Sequence, residues 1–180
     1  MKLILWEVWS YAQVPLFIYL FRRFFKRNIA GDILAGIMIG VFIEFSTEPL
    51  WLYHFKLTYY KDTPISVPLG WGVMFAQICF LSEKLYCFLL KKDRIIPGDK
   101  RIFIFDVLGG ALLGFPFETI GHHAGIWDYN YKVLGWDWGT VPFFGMPYEA
   151  LVGYMLLMLT APSFVRQWQG FFEGEKPHGA

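Results

Sequence analysis

Apolar residues run through the chain in five long stretches, Leu3–Phe21, Ile33–Tyr53, Pro64–Leu90, Ile102–Gly121 and Gly139–Val165, with short polar connections between them. A helix needs about 20 apolar residues to cross roughly 30 Å of hydrocarbon, so each stretch predicts a transmembrane helix. Helices are the expected form because lipid offers no partner to an unpaired backbone N–H or C=O. The first stretch contains Glu7, Gln13 and Pro15, a pattern shared with helices that lie in the membrane interface. It does not read as a signal peptide, because the basic cluster Arg22, Arg23, Lys26 and Arg27 follows the apolar run instead of preceding it. The pattern therefore predicts one integral membrane domain over residues 1–180, an all-α polytopic bundle of about five helices.

Composition agrees with that reading. The chain is 56% hydrophobic and 21% aromatic, and its 17% of charged residues falls well below the roughly 25% of a soluble domain. A net charge of +1, without a basic stripe, excludes nucleic acid as an expected partner. Cys79 and Cys87 lie within one apolar stretch and read as buried thiols, not as a disulfide. The basic residues gather in two alternate connections, "RRFFKRNIAGD" and "KKDRIIPGDKR". By the positive-inside rule these loops are expected in the cytoplasm. The N-terminus is then expected outside and the tail after Arg166 inside, with the two aromatic connections on the non-cytoplasmic face.

The two halves carry the same order of residues, in units of about 33–90 and 102–165. Glu44 is followed by Trp51, Tyr53 and Val67-Pro68; Glu118 is followed by Trp127, Tyr129 and Val141-Pro142. Each unit reads as a helix, a polar and aromatic turn, and a returning helix opened by proline, whose missing N–H costs nothing in a first helical turn. The same Trp and Tyr residues also suit an interfacial belt.

Carboxylates inside membrane segments are costly and point to function. Glu44, Asp106, Glu118 and Glu149 stand in this position. Glu44 and Glu48 are four residues apart, as are Glu118 and His122, so each pair shares a helical face. His54, His122 and His123 raise the question of a metal, since imidazole and carboxylate at that spacing can hold one. No second Glu-x-x-x-His pair accompanies them, so no metal ligand and no cofactor is assigned. Around the acids lie Trp51, Tyr53, Trp71, Trp127, Asp128, Tyr129, Asn130 and Tyr148, expected with His122 to form a substrate wall. Aromatic faces attract cations, and a carboxylic acid shielded from water can keep its proton at neutral pH. Protonating an alkene or epoxide and guiding the resulting carbocation needs both.

The segment "GIWDYNYKVLGWDWGTVPFFGMPYEALVGYMLLML", preceded by Glu118, resembles the membrane-embedded lycopene cyclase domain family. Units of that family carry an acid late in one helix, then Gly-x-Trp-x-Phe-Asn, a glycine, and a Pro-Leu-Glu-Glu motif opening the next helix. Gly125, Trp127, Tyr129, Asn130, Gly135, Pro147 and Glu149 follow that order, while Tyr148 stands where the family has an acid. The likeness runs from about Glu118 to Leu159. It implies a small polytopic cyclase without a redox cofactor, acting on a lipid-soluble isoprenoid.

The leading expectation is cyclisation, or related acid-catalysed alkene chemistry, on a carotenoid or terpenoid. Glu118 or Glu149 would be the general acid, Glu44 the partner carboxylate or base, and Trp51, Trp127 and Tyr129 the cation-stabilising wall. A non-catalytic membrane subunit that binds a pigment or lipid is the alternative, and a metal-dependent membrane enzyme the third. Membrane lipid is the other expected partner, and homo-oligomerisation is left open.

Overall fold

The computed structural model describes residues 2–173; Met1 and the tail 174–180, on which the expected sides of the termini bear, lie outside the described residues. Helix α1 (Lys2–Leu20) runs into a π-helical turn, Phe21–Phe25. It is followed by α2 (Ala30–Thr47), α3 (Ser66–Leu90), α4 (Ile102–His123), the short α5 (Tyr131–Leu134) and α6 (Tyr148–Glu173). All but α5 are long and apolar enough to cross a membrane, and the chain is a helical membrane bundle. Helices α2 and α4 each pack against both α3 and α6, closing a four-helix ring, and α1 lies outside the ring against α3.

Two helices in lipid gain no hydrophobic energy by meeting, so close approach through small residues holds them together. The α2–α3 seam uses this device. A Cβ on Gly36 would come within 2.8 Å of Gly72 Cα, and one on Gly40 within 2.7 Å of Trp71 Cβ. Phe75, Ile78 and Cys79 of α3 are fully buried at the centre of the ring.

The end of the bundle nearest the basic loops is tied by charge. Arg166 of α6 grips the buried Asp106 of α4, with Nη1 donating to Oδ2 at 3.0 Å and Nη2 to Oδ1, and Nη2 also donates to Ser82 Oγ at 3.0 Å. Arg27 donates to Glu83 at 2.6 Å and lies 3.5 Å from Asp32. Removing Arg166 would strand the charge of the fully buried Asp106, at a cost of about 3–5 kcal/mol.

Three boundaries differ from the sequence expectation by more than a helical turn. Helix α2 does not reach Tyr53: it ends at Thr47 in a 3-10 turn, Glu48–Leu50. Pro49 suits a first turn but in a helix interior would clash with the preceding turn's carbonyl. The last membrane helix opens at Tyr148, not Gly139, because Gly139, Phe143 and Gly145 take φ values of 90°, 71° and 72°. The Val141 N–H donates to Met146 O at 2.7 Å, closing a turn. Val141-Pro142 therefore lies in that turn and does not open a helix. At its other end α6 runs past Val165, where Arg166 and Gln169 find partners on other helices; Gln169 Oε1 accepts the Asp32 N–H at 2.8 Å.

The opposite end carries short strands. Strand β1 (Trp51–Tyr53) pairs antiparallel with β4 (Trp127–Tyr129), setting Trp51 opposite Tyr129, Leu52 opposite Asp128 and Tyr53 opposite Trp127. Strand β2 (Thr58–Tyr60) pairs with β3 (Thr63–Pro64), and Thr140 forms a matching bridge with Pro147. In both halves a bridged proline thus leads into the returning helix.

Candidate functional site: two buried carboxylates

The rising helices of the two halves share a spacing beyond the acid-Trp-Tyr order. Asp32, Gly36, Gly40 and Glu44 recur at four-residue intervals in α2, and Asp106, Gly110, Gly114 and Glu118 do so in α4. Fourth neighbours lie along one helical face, so each helix carries an aspartate at the basic-loop end and a glutamate at the strand end. The returning helices match as well: Pro64 precedes Gly70-Trp71 by the same interval as Pro147 precedes Gly153-Tyr154.

These matched positions meet at the two glutamates. Glu44 is 1% exposed and Glu118 is 7% exposed. Glu44 Oε2 accepts from Tyr53 OH at 2.7 Å, and its Oε1 accepts from Trp71 Nε1 at 2.9 Å. Glu118 Oε2 accepts from Tyr129 OH at 3.0 Å and Trp127 Nε1 at 3.2 Å, and its Oε1 from Tyr154 OH at 2.6 Å. In each half the tyrosine of Trp-x-Tyr serves one oxygen, and a ring from the returning helix serves the other. Only the first tryptophan departs from the pattern, with Trp51 Nε1 donating to Thr47 Oγ1 at 3.1 Å. A buried carboxyl needs such donors to offset its lost hydration. Burial, reinforced by the adjacent glutamate, holds the Tyr53 and Tyr129 phenols well above their usual range, so both donate as neutral hydroxyls.

Two cavities adjoin the acids. A chamber of about 310 Å³ lies between α3, α4 and α6. Its walls are apolar, from Met74, Ile78, Gly114 and Met158 among others, and Glu118 and Tyr154 border it. The chamber exists because the α4–α6 seam is looser than its α2–α3 counterpart: a Cβ on Gly114 would meet nothing within 4 Å. Met155, which is exposed on the bundle surface, also lines it, so the chamber reaches the lipid-facing side. A second cavity, of about 40 Å³, is lined by Glu44, Glu118, Tyr53, Ser66 and Trp127, and by Trp6 and Ser10 of α1. The Trp6 ring packs 5.5 Å from Phe117 and 5.8 Å from Trp127. Glu118 borders both cavities, whereas Glu44 borders the small one alone.

The other expected residues are placed differently. Glu149 lines neither cavity; its Oε1 accepts the N–H groups of Asp137 and Trp138, each at 2.9 Å, and so ties down the preceding loop. Asp128 lies 3.2 Å from His54 Nε2 and 3.3 Å from His122 Nδ1, so the ring of His122 turns to Asp128. Glu118 has its donors elsewhere. Asn130 donates to Pro49 O at 3.1 Å and joins the two turns, and Tyr148 is exposed at the start of α6. Glu48 pairs with Lys61 at 2.6 Å. Among the described residues no group of three or more His, Cys, Asp or Glu side chains is arranged to hold a metal ion.

Tyr154, Ser66 and Ser10 belong to this site and were not anticipated. The repeated Pro-x5-Gly-aromatic spacing was the available signal for Tyr154. For the two serines there was none, since a small hydroxyl in a membrane helix is common. No protein-family model, curated protein or solved structure matches the chain.

Proposed function

We propose that the chain is a cofactor-independent membrane enzyme that protonates an alkene of a carotenoid or terpenoid and directs the cation to a ring or a related product. Glu118 is the general acid in this reading. What carries it is a single placement: among the described residues Glu118 is the carboxylate that borders the apolar chamber. A carboxyl oxygen has two acceptor sites. Oε2 accepts two hydrogen bonds, but among the described residues Oε1 accepts only that of Tyr154, which leaves room on Oε1 for the proton to be transferred. The three donors hold the carboxyl in one position, the preorganisation that proton transfer requires. The Trp71 ring, stacked on Phe75 at 5.4 Å, lines the same chamber and offers a π face to a cation.

In ring closure Glu118 gives its proton to an alkene carbon, a second double bond attacks the cation, and a neighbouring C–H bond breaks to return a proton to the Glu118 carboxylate, leaving a new double bond, a reset acid and an unchanged mass. A volume of about 310 Å³ is at the lower end of the roughly 300–1,000 Å³ of small-molecule pockets. It suits one end of a long isoprenoid entering from lipid between α4 and α6. The likeness of Glu118 to Leu159 to the lycopene cyclase domain family supports the same class. With the basic loops in the cytoplasm, the site lies in the non-cytoplasmic half of the membrane.

The test is Glu118→Gln, which keeps the shape and one acceptor oxygen for Tyr129 and Trp127, turns the Tyr154 hydroxyl from donor to acceptor of the new amide, and removes the transferable proton. The full chain is expressed in cells that accumulate linear carotenoids or are fed linear terpenoids, and extracted lipids are analysed by mass and retention. General acid catalysis contributes roughly 10²–10⁴-fold, so turnover should fall by that order at normal membrane abundance. Full turnover at normal abundance would remove the general-acid role. The chamber's opening at Met155 favours a second reading, a subunit that binds a pigment or lipid without reaction. In that case Glu118→Gln retains the bound molecule and no new product forms with either chain.

A further inference from the structure

Resting on the reading of Glu118 as general acid, we propose that the small cavity is a water site and that the reaction is a hydration, with Glu44 as the base that activates the water. The cavity's volume is about 40 Å³. A buried water needs roughly 10–15 Å³ of such space and two to four polar partners. Three are at hand. Glu44 and Glu118 line the cavity, and so does Ser66, which is 1% exposed and whose Oγ has no hydrogen-bond partner among the described residues. The other serine, Ser10, is already committed, donating to Trp6 O at 2.9 Å. Buried hydroxyls are ordinarily paired, so an unpaired one on a residue that shares a cavity with two carboxyls points to a small polar molecule in that cavity.

The division of the acids between the cavities supports the same step. Glu118 borders both chambers, but Glu44 borders only the small one, so Glu44 reaches water more readily than a hydrocarbon in the chamber. In the reaction the Glu118 proton forms a C–H bond at one alkene carbon. A lone pair of the water oxygen forms a C–O bond at the other, and the breaking O–H bond delivers its proton to Glu44. The product is an alcohol, with one water added and no change of oxidation state overall. The proton on Glu44 returns to Glu118 through the next water to enter, and the site is reset. A cation formed in a fully dry chamber would instead be captured by a neighbouring double bond.

The experiment supplies a linear carotenoid, and separately a linear prenyl alcohol, to membranes containing the full chain in water enriched in heavy oxygen. The expected product is heavier than its precursor by one labelled water. Ser66→Ala removes only the hydroxyl, and the hydrated product should fall about tenfold, the scale of one lost hydrogen bond, while Ser66→Thr retains it. A structural role would lower total turnover without changing the ratio of hydrated to mass-unchanged product, and that ratio is the readout. If the unaltered chain forms only a product of unchanged mass, the hydration is overturned and the general-acid reading stands. Full hydration by an abundant Ser66→Ala overturns the water site. If Ser66→Ala fails to accumulate, the label in the unaltered chain's product decides. If neither the unaltered chain nor Glu118→Gln yields any product, both readings fail.

Discussion

At Gly121 a side chain would meet the ring that binds Glu118. A Cβ built there falls within the van der Waals surface of Trp127, whose indole N–H donates to Glu118 at 3.2 Å. Gly121 sits in the last turn of α4, and glycine is required there for space. Gly121→Ala should destabilise the protein by about 1–3 kcal/mol, the usual cost of overpacking, and displace the indole. Denaturation in detergent micelles and tryptophan fluorescence measure the two effects, and an unchanged midpoint with unchanged emission would show that the ring has room to move. At this scale the sequence was a fair guide to the acids and a poor one to their partners. Glu44 and Glu118 were legible because charge in an apolar run is rare. Tyr154 was marked only by its Pro-x5-Gly-aromatic spacing, which matches it to Trp71 but does not say what its hydroxyl reaches. Glu149 looked equivalent to the others but binds the backbone of Asp137 and Trp138.

Two equivalent helix seams behave differently in this bundle. Gly36 lies against Gly72, with 2.8 Å from its would-be Cβ to the neighbouring Cα, whereas the corresponding position in the second half, Gly110, faces the flexible Met158 side chain at 2.6 Å. One turn on, Gly40 is covered by Trp71, and Gly114 faces open space. Gly36→Val should force α2 and α3 apart and lower stability by about 1–3 kcal/mol. Gly114→Val should fold normally but narrow the chamber. Displacing a substrate by about 1 Å costs roughly 10²-fold in rate, so product formation should fall by that order at unchanged abundance. Equal loss of abundance in both variants would mean that the seams are alike. Helix existence was plain from the apolar runs, but the ends were less so, because Trp51–Tyr53 is as apolar as a last helical turn. Only the partner strand at Trp127–Tyr129 makes it a strand.

For the whole molecule, the ring of α2, α3, α4 and α6 puts both basic connections at one end and the paired strands at the other. The excess of Lys and Arg predicts that the basic end faces the cytoplasm. In a chain with Cys79 and Cys87 replaced, a cysteine at the exposed Lys61 should react with an impermeant thiol reagent added outside cells. One at the exposed Arg94 should react only after lysis. The opposite labelling would invert the topology and move the site to the cytoplasmic half. By itself the sequence determined the number of membrane helices, since hydrocarbon thickness sets a length that composition either meets or does not. It also set the level of each acid along its helix, because residues in a helix rise by a fixed amount. Only the tertiary structure decided which acids meet. The pairing of β1 with β4 sets Trp51 opposite Tyr129 and Tyr53 opposite Trp127, and so draws Tyr53, a donor to Glu44, against Trp127, a donor to Glu118, from opposite halves of the chain. These helices are apolar on nearly every side, so periodicity does not mark an inward face, and the choice between a closed seam and an open chamber rests on whether Trp71 or Met158 lies across the glycines.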